Sequence, residues 1–212
     1  MPPAPLRVGI FGGSFDPPHV GHLLVAQDAM AALALDRLIV VPAGRQPLKE
    51  GHGAAPAHRL AMVRDAFAGI PRIEVDPVEI ERGGLSFMVD TVRAIQGRHP
   101  GAALFLLVGA DVVPSWPRWH QVEALEAMVR VVVLRRPGQG DATGDSGIGP
   151  QGAVALPTRC VEVSSTEIRE RVRVGASLRG FVPEAVAADI AGFGIYRDAT
   201  RVPHVGEEAA RD

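Results

Sequence analysis

Cysteine is almost absent: Cys160 is the only one among 212 residues, which excludes an internal disulfide framework and any zinc site built on several thiolates. Lysine is as rare, with Lys49 standing alone among 22 basic residues and arginine supplying the rest. Neither sign of charge is in excess. The 22 basic and 24 acidic side chains leave a formal net charge of −2, too near neutral for counterion-driven binding to nucleic acid or to an anionic membrane. The longest apolar runs, such as Ala102 to Val108, fall far short of the ~20 residues a membrane span needs. Met1 to Leu6 has neither the basic n-region nor the apolar h-region of a signal peptide. Two familiar phosphate-binding patterns are missing as well. There is no G-x-x-x-x-G-K-[ST], and Gly9-Ile10-Phe11-Gly12-Gly13 lacks the G-x-G-x-x-G spacing. What remains is a balance of 47% hydrophobic and 22% charged residues, ordinary for a globular chain, which at this length buries about 70% of its unfolded surface without covalent staples. The expectation is a soluble cytoplasmic protein with no nucleic acid and no membrane among its partners.

Periodicity then places the elements. Arg7 to Phe11 is a short apolar run stopped by Gly12-Gly13, the pattern of a buried strand ended by a turn. After Pro17-Pro18, Val20 to Leu35 carries apolar residues at helical spacing, and proline suits a helix entrance because its missing N–H falls where helix donors are unpaired. Leu38 to Val41, Ala103 to Val108 and Val129 to Leu134 read as strands, and Arg72 to Ile80 as an extended segment. Ala57 to Ala68, Val89 to Gln96, Glu123 to Met128, Ser165 to Val174 and Pro183 to Ala191 read as helices. Strands alternating with helices predict βαβ units around a parallel sheet. The glycine-rich stretch from Pro137 to Gly152 is expected to be a flexible surface loop, and residues 198–212 a disordered tail.

The most informative stretch is Gly12-Gly13-Ser14-Phe15-Asp16-Pro17-Pro18-His19-Val20-Gly21-His22. It falls at the carboxyl end of the first strand, where open parallel sheets place their ligands. Gly12 and Gly13 let backbone approach a ligand, and the following helix start aims N–H groups and partial positive charge at the same point. His19 and His22 are three residues apart, so one turn puts both imidazoles on one face. Such a pair suits phosphate oxygens. As a metal pair it would need further ligands, which only Asp16 or Asp111 could supply.

The whole segment resembles the signature of the nucleotidyltransferase superfamily whose helix opens with H-x-G-H, in the form found in bacterial nicotinate-nucleotide adenylyltransferases. Further segments fit that family in order: Val41-Pro42-Ala43-Gly44, Ser86-Phe87-Met88, Gly109-Ala110-Asp111, Trp119, Arg135-Arg136-Pro137-Gly138, Ser164-Ser165-Thr166-Glu167-Ile168-Arg169, and the closing stretch from Leu178 to Tyr196. Residues 1–197 would then form a single nucleotidyltransferase domain. The resemblance implies an α/β fold, a Rossmann-like doubly wound parallel sheet with helices on both faces and a short helical C-terminal end. It also implies adenylyl transfer from ATP to nicotinate mononucleotide, with pyrophosphate released and Mg²⁺ arriving with ATP rather than in a protein cage. A homodimer is left open.

On that resemblance His19, His22 and Arg169 carry the catalysis. ATP would be bound by them with Gly12, Gly13, Ser14, Phe15, Gly109, Asp111, Ser165 and Thr166, and the acceptor by Lys49, Ser86, Phe87, Met88, Trp119 and His120. Trp119 would stack on the pyridine ring, whereas Trp116 is read as structural. Asp111 would hold a ribose. Three departures from the family pattern all lie on the acceptor side. Gln46-Pro47-Leu48-Lys49 loses a histidine, Ser86-Phe87-Met88 loses two hydroxyls, and His120 replaces an aromatic that is often tyrosine. The alternatives are a member of the superfamily acting on nicotinamide mononucleotide or another phosphorylated acceptor, and a non-catalytic nucleotide-binding regulator.

Overall fold

The computed structural model of the chain describes residues 4–47, 53–135, 149–159 and 161–197. Six strands form one sheet: β1 (Arg7–Gly13), β2 (Arg37–Pro42), β3 (Ile73–Val75), β4 (Ala103–Gly109), β5 (Arg130–Arg135) and β6 (Val154–Pro157). Their spatial order is β3-β2-β1-β4-β5-β6 and every neighbouring pair is parallel. The chain therefore winds outward from β1 in one direction, then returns to its other side at β4. The loops leaving β1 and β4 part company at that switch point and open a crevice beyond the strand ends.

Helices cover both faces: α1 (Val20–Ala32), α2 (Pro56–Phe67), α3 (Val78–Arg82), α4 (Met88–Arg98), α5 (Val122–Met128), α6 (Ser165–Arg173) and α7 (Glu184–Phe193). Side-chain alternation along β1 separates two cores. Phe11 points with Val40, Leu107 and Leu134 into the core under α1, α2, α6 and α7. Val8 and Ile10 point with Ile39, Val41 and Leu106 toward α4 and α5. Gly9 sits on the Phe11 side, where a Cβ would come within 2.6 Å of Leu35 Cδ1.

Several boundaries differ from those read in the sequence. The extended segment from Arg72 to Ile80 is strand only over Ile73–Val75, because Asp76 Oδ1 accepts the N–H of Val78 at 3.0 Å and the chain turns into α3. The first helix stops at Ala32 rather than Leu35, since Ala34 adopts φ 46° and the following turn buries Leu35. Val129 caps α5 and β5 begins at Arg130. Strand β6 and a 3₁₀ helix over Ala110–Arg118 are not foreshadowed by any periodicity. Most of the glycine-rich stretch, the last fifteen positions from 198 to 212, Cys160 and Lys49 lie outside the described residues. Among the described residues no helix is long and apolar enough to cross a membrane.

Candidate active site

β1 ends at Gly13, and the chain swings through Phe15 (φ 47°) before His19 takes the N-cap of α1 in extended conformation. The backbone N–H of His19 donates to Nδ1 of His22 at 3.1 Å. A ring nitrogen that accepts carries no proton, so the neutral His22 imidazole keeps its proton on Nε2 and presents that nitrogen as a donor. The two imidazoles lie 3.7 Å apart between centroids, tilted by 32°, and the edge of Phe15 meets His22 at 4.9 Å. Gly21 between them sits in a crowded place: a Cβ there would sit 3.0 Å from the His19 ring.

The N-terminus of α6 is tied to the same turn. Ser164 is its cap, accepting the N–H of Glu167 at 3.1 Å. Ser165 donates instead to the carbonyl of Pro17 at 2.8 Å, and Arg169 donates through Nη1 to the carbonyl of Asp16 at 2.8 Å. Its other nitrogen, Nη2, donates to Thr166 Oγ1 at 3.1 Å. Two helix N-termini, with their partial positive charge, are thus fastened to each other through two consecutive carbonyls just before the histidine pair.

Two supporting residues carry no signal that sequence reading turned into a role. Asp16 lies inside the eleven-residue signature and borders the cleft, and its carboxylate is engaged by the protein itself. It accepts the N–H groups of Gly53 (2.6 Å) and Ala54 (3.0 Å) and the hydroxyl of Tyr196 (2.6 Å). Arg59 is fully buried on α2. It donates to the carbonyls of Ser14 (2.9 Å), Gly44 (2.9 Å) and Ala54 (3.3 Å), joining the turns after β1 and β2 to the start of α2. Burial lowers the Arg59 pKa, opposed by the charges of Asp16, Tyr196 and Glu79. The Tyr196 phenol is pushed far up by burial and by its hydrogen bond to Asp16.

The other wall comes from β2, β4, α4 and the 3₁₀ helix. Gly44 donates its N–H to Ser86 Oγ at 3.0 Å. Phe87 caps α4, so the N–H groups of Met88 and Val89 have no intrahelical acceptor. The Phe87 ring lies 4.3 Å from that of His120, and Trp119 lies 4.7 Å from Trp116. Trp116 is buried and donates its indole N–H to Glu126 at 2.7 Å, in keeping with a structural role. Trp119 is half-buried, and His120 and Asp111 are exposed.

Both walls border one cleft of about 1360 Å³, larger than the ~300–1,000 Å³ of single-ligand pockets and roomy enough for two nucleotides. Every expected site residue within the described chain lines it: Gly12, Gly13, Ser14, Phe15, His19, His22, Gly109, Asp111, Ser165, Thr166 and Arg169 on one part, Ser86, Phe87, Met88, Trp119 and His120 on the other. Lys49 lies outside the described residues.

A switch-point crevice floored by an H-x-G-H turn defines a class, and residues 10–171 match the family model described as cytidylyltransferase-like. The chain belongs to that family and, within it, to the nicotinate-nucleotide adenylyltransferases. A protein of Gemmatimonas aurantiaca named "Probable nicotinate-nucleotide adenylyltransferase" is 62% identical over 203 residues, 92% of this chain and 95% of its own length. One of the same name from Roseiflexus sp. is 42% identical over 201 residues, 90% of this chain and 98% of its own. The fold is also that of Plasmodium falciparum nicotinic acid mononucleotide adenylyltransferase complexed with NaAD. Its TM-score is 0.71 at 18% identity, over 90% of this chain and 97% of that one.

Proposed function

We propose that this chain transfers the adenylyl group of ATP to nicotinate mononucleotide, giving nicotinate adenine dinucleotide and pyrophosphate, a step of NAD biosynthesis. A phosphate oxygen of the acceptor attacks the α-phosphorus of ATP, the bond from that phosphorus to the β-bridging oxygen breaks, and the electron pair leaves with pyrophosphate. Such chemistry asks the protein to bring two anions together and to neutralise growing charge rather than to supply a nucleophile.

The observation that carries this reading is the pair of helix N-termini locked across the Asp16 and Pro17 carbonyls, with His19, His22 and Arg169 at their mouth. In this reading His22 Nε2–H donates to the α-phosphate as charge builds, and His19 and Arg169 hold the triphosphate with Ser165 and Thr166. Gly12, Gly13, Ser14, Phe15 and Gly109 give close backbone approach to the nucleotides, and Asp111 takes a ribose hydroxyl. Lys49 and Ser86 belong to the acceptor side. Trp119 offers its face to the cationic pyridine ring, and the ring's carboxylate meets the N–H groups around Phe87 and Met88, with His120 beside them.

The carboxylate of Asp16 is engaged by Gly53, Ala54 and Tyr196, a donor set that suits a structural carboxylate better than a metal ligand. Accordingly the divalent cation, Mg²⁺, enters with ATP and is held by its phosphates, where it screens their charge. The protein works in the cytoplasm, with ATP and nicotinate mononucleotide as its partners, and residues 1–197 act as one nucleotidyltransferase domain.

Pyrophosphate release with ATP and a panel of acceptors tests the proposal. Release with nicotinate mononucleotide well above that with nicotinamide mononucleotide or phosphopantetheine is expected. Release with another acceptor alone, or with none, would overturn it.

A further inference from the structure

Glu79 belongs to no step of the transfer just described, yet it lines the cleft while only 3% exposed. A carboxylate taken that far from water must be met by donors. The hydroxyl of Thr91, on the first turn of α4, donates to Glu79 Oε1 at 2.7 Å. Arg82 in turn donates to Thr91 Oγ1 at 3.3 Å, and Ser86 and Gly44 lie beside the carboxylate. Burial raises the Glu79 pKa, while the bonds from Thr91 and Ser86, the Arg82 charge and the Gly44 N–H oppose that rise.

These neighbours come from three places. Gly44 follows β2, Ser86 immediately precedes Phe87, and Thr91 lies one turn into α4. Ser86 is held twice, by the Gly44 N–H on its hydroxyl at 3.0 Å and through its own N–H to the carbonyl of Arg45 at 2.8 Å. There is no slack in this knot: a Cβ on Gly44 would lie 2.7 Å from the Glu79 carbonyl oxygen and 2.9 Å from Ser86 Oγ. The backbone it holds is the one that caps α4 with Phe87 and leaves the N–H groups of Met88 and Val89 without an intrahelical acceptor.

We propose that Glu79 is a positioning residue for acceptor choice. By holding Thr91 and packing against the Gly44–Ser86 contact it sets the Phe87–Met88 backbone at the α4 N-terminus, and so governs the preference for nicotinate over nicotinamide without touching either. This rests on the acceptor reading given above. Thr91 donates to Glu79 while its own oxygen already accepts from Arg82, so a carboxylate suits it and an amide NH₂ turned toward it would face a donor. Glu79→Gln therefore disturbs the knot at nearly constant shape. Thr91→Val removes one of its bonds from the other end, and Thr91→Ser keeps it.

The test is steady-state kinetics of wild type and these three variants with both mononucleotides and ATP. Glu79→Gln and Thr91→Val should lower the nicotinate-to-nicotinamide ratio of kcat/KM by about tenfold, the scale of one misplaced hydrogen bond. KM for nicotinate mononucleotide should rise, KM for ATP should stay within about twofold, and Thr91→Ser should retain the wild-type ratio. Equal rises in both KM values, an unchanged ratio in folded Thr91→Val, or loss of the ratio in Thr91→Ser would each overturn the proposal. A wild type that discriminates while its variants discriminate equally overturns this proposal alone. A wild type that transfers to neither acceptor, or to both equally, overturns the acceptor reading and this inference with it.

Discussion

The two walls of the cleft are built on different principles. On the phosphate wall the side chains that matter are anchored to backbone: Arg169 and Ser165 to the carbonyls of Asp16 and Pro17, and His22 to the N–H of His19. Behind them Asp16 and Arg59 are buried and fully engaged. The acceptor wall is made of ring faces, with Phe87 against His120 and a half-buried Trp119 against Trp116. Backbone anchors fix a position whatever surrounds them, whereas ring contacts tolerate exchange of one ring for another. Of the departures from the family pattern, those at Phe87, Met88 and His120 line the second wall, and two of these three are rings.

Breaking the phosphate wall should have the largest effect. His22→Ala should lower turnover by ~10²–10³, the scale for deleting one preorganised donor at developing charge, with ATP affinity changing far less. Arg169→Ala should instead weaken ATP binding and turnover together, because ground state and transition state both carry the triphosphate. Steady-state kinetics of the two variants separates the roles, and near-normal turnover in the first would remove His22 from the mechanism.

Behind that wall, Arg59→Met leaves the carbonyls of Ser14, Gly44 and Ala54 without their donor. At ~1–3 kcal/mol for a buried unsatisfied group, a loss of about 3 kcal/mol of stability is expected, read from urea unfolding at unchanged m-value. A change within about 0.5 kcal/mol, the range of ordinary surface substitutions, would show the brace to be idle.

The acceptor wall is probed by substrate rather than by deletion. kcat/KM for nicotinate mononucleotide should exceed that for the nicotinamide form by at least about tenfold, the low end of two contacts that an amide NH₂ would spoil. Equal rates would mean that Phe87, Met88 and His120 have reshaped the pocket.

The smallest expected signal is spectroscopic. Tyr196 is the only tyrosine in the chain, so tyrosinate absorbance reports one group. Its folded pKa is raised, mainly by burial, so the folded state holds the proton more firmly. That contribution to stability is fully present below the unfolded value of about 10 and is lost as pH rises through the folded one. Folded protein at pH values near 10, where a free phenol is about half ionised, should show no tyrosinate band. A band appearing there without unfolding would contradict the Asp16–Tyr196 bond.

Much of this was legible beforehand because the strong signals are local. The apolar run of β1, its glycine stop and the H-x-G-H spacing each lie within a few residues, and the structure places them together. Arg59 was not legible, since an arginine on an amphipathic helix looks like a solvated side chain until its carbonyl partners arrive from turns 15 and 45 residues away. Glu79 sat in what reads as an extended segment, and the Asx turn at Asp76 that begins α3 has no periodicity to detect. Of the two serines at the start of α6, only the folded structure separates the cap, Ser164, from the tie to Pro17, Ser165.

The central claim, that the phosphate wall serves attack at the α-phosphorus of ATP, is tested most directly by tracing label. With nicotinate mononucleotide as acceptor, label in the α-phosphate of ATP should appear wholly in the dinucleotide, and label in the γ-phosphate wholly in pyrophosphate. γ-Label carried onto the acceptor, or released as inorganic phosphate while α-label stays in ADP, would contradict it.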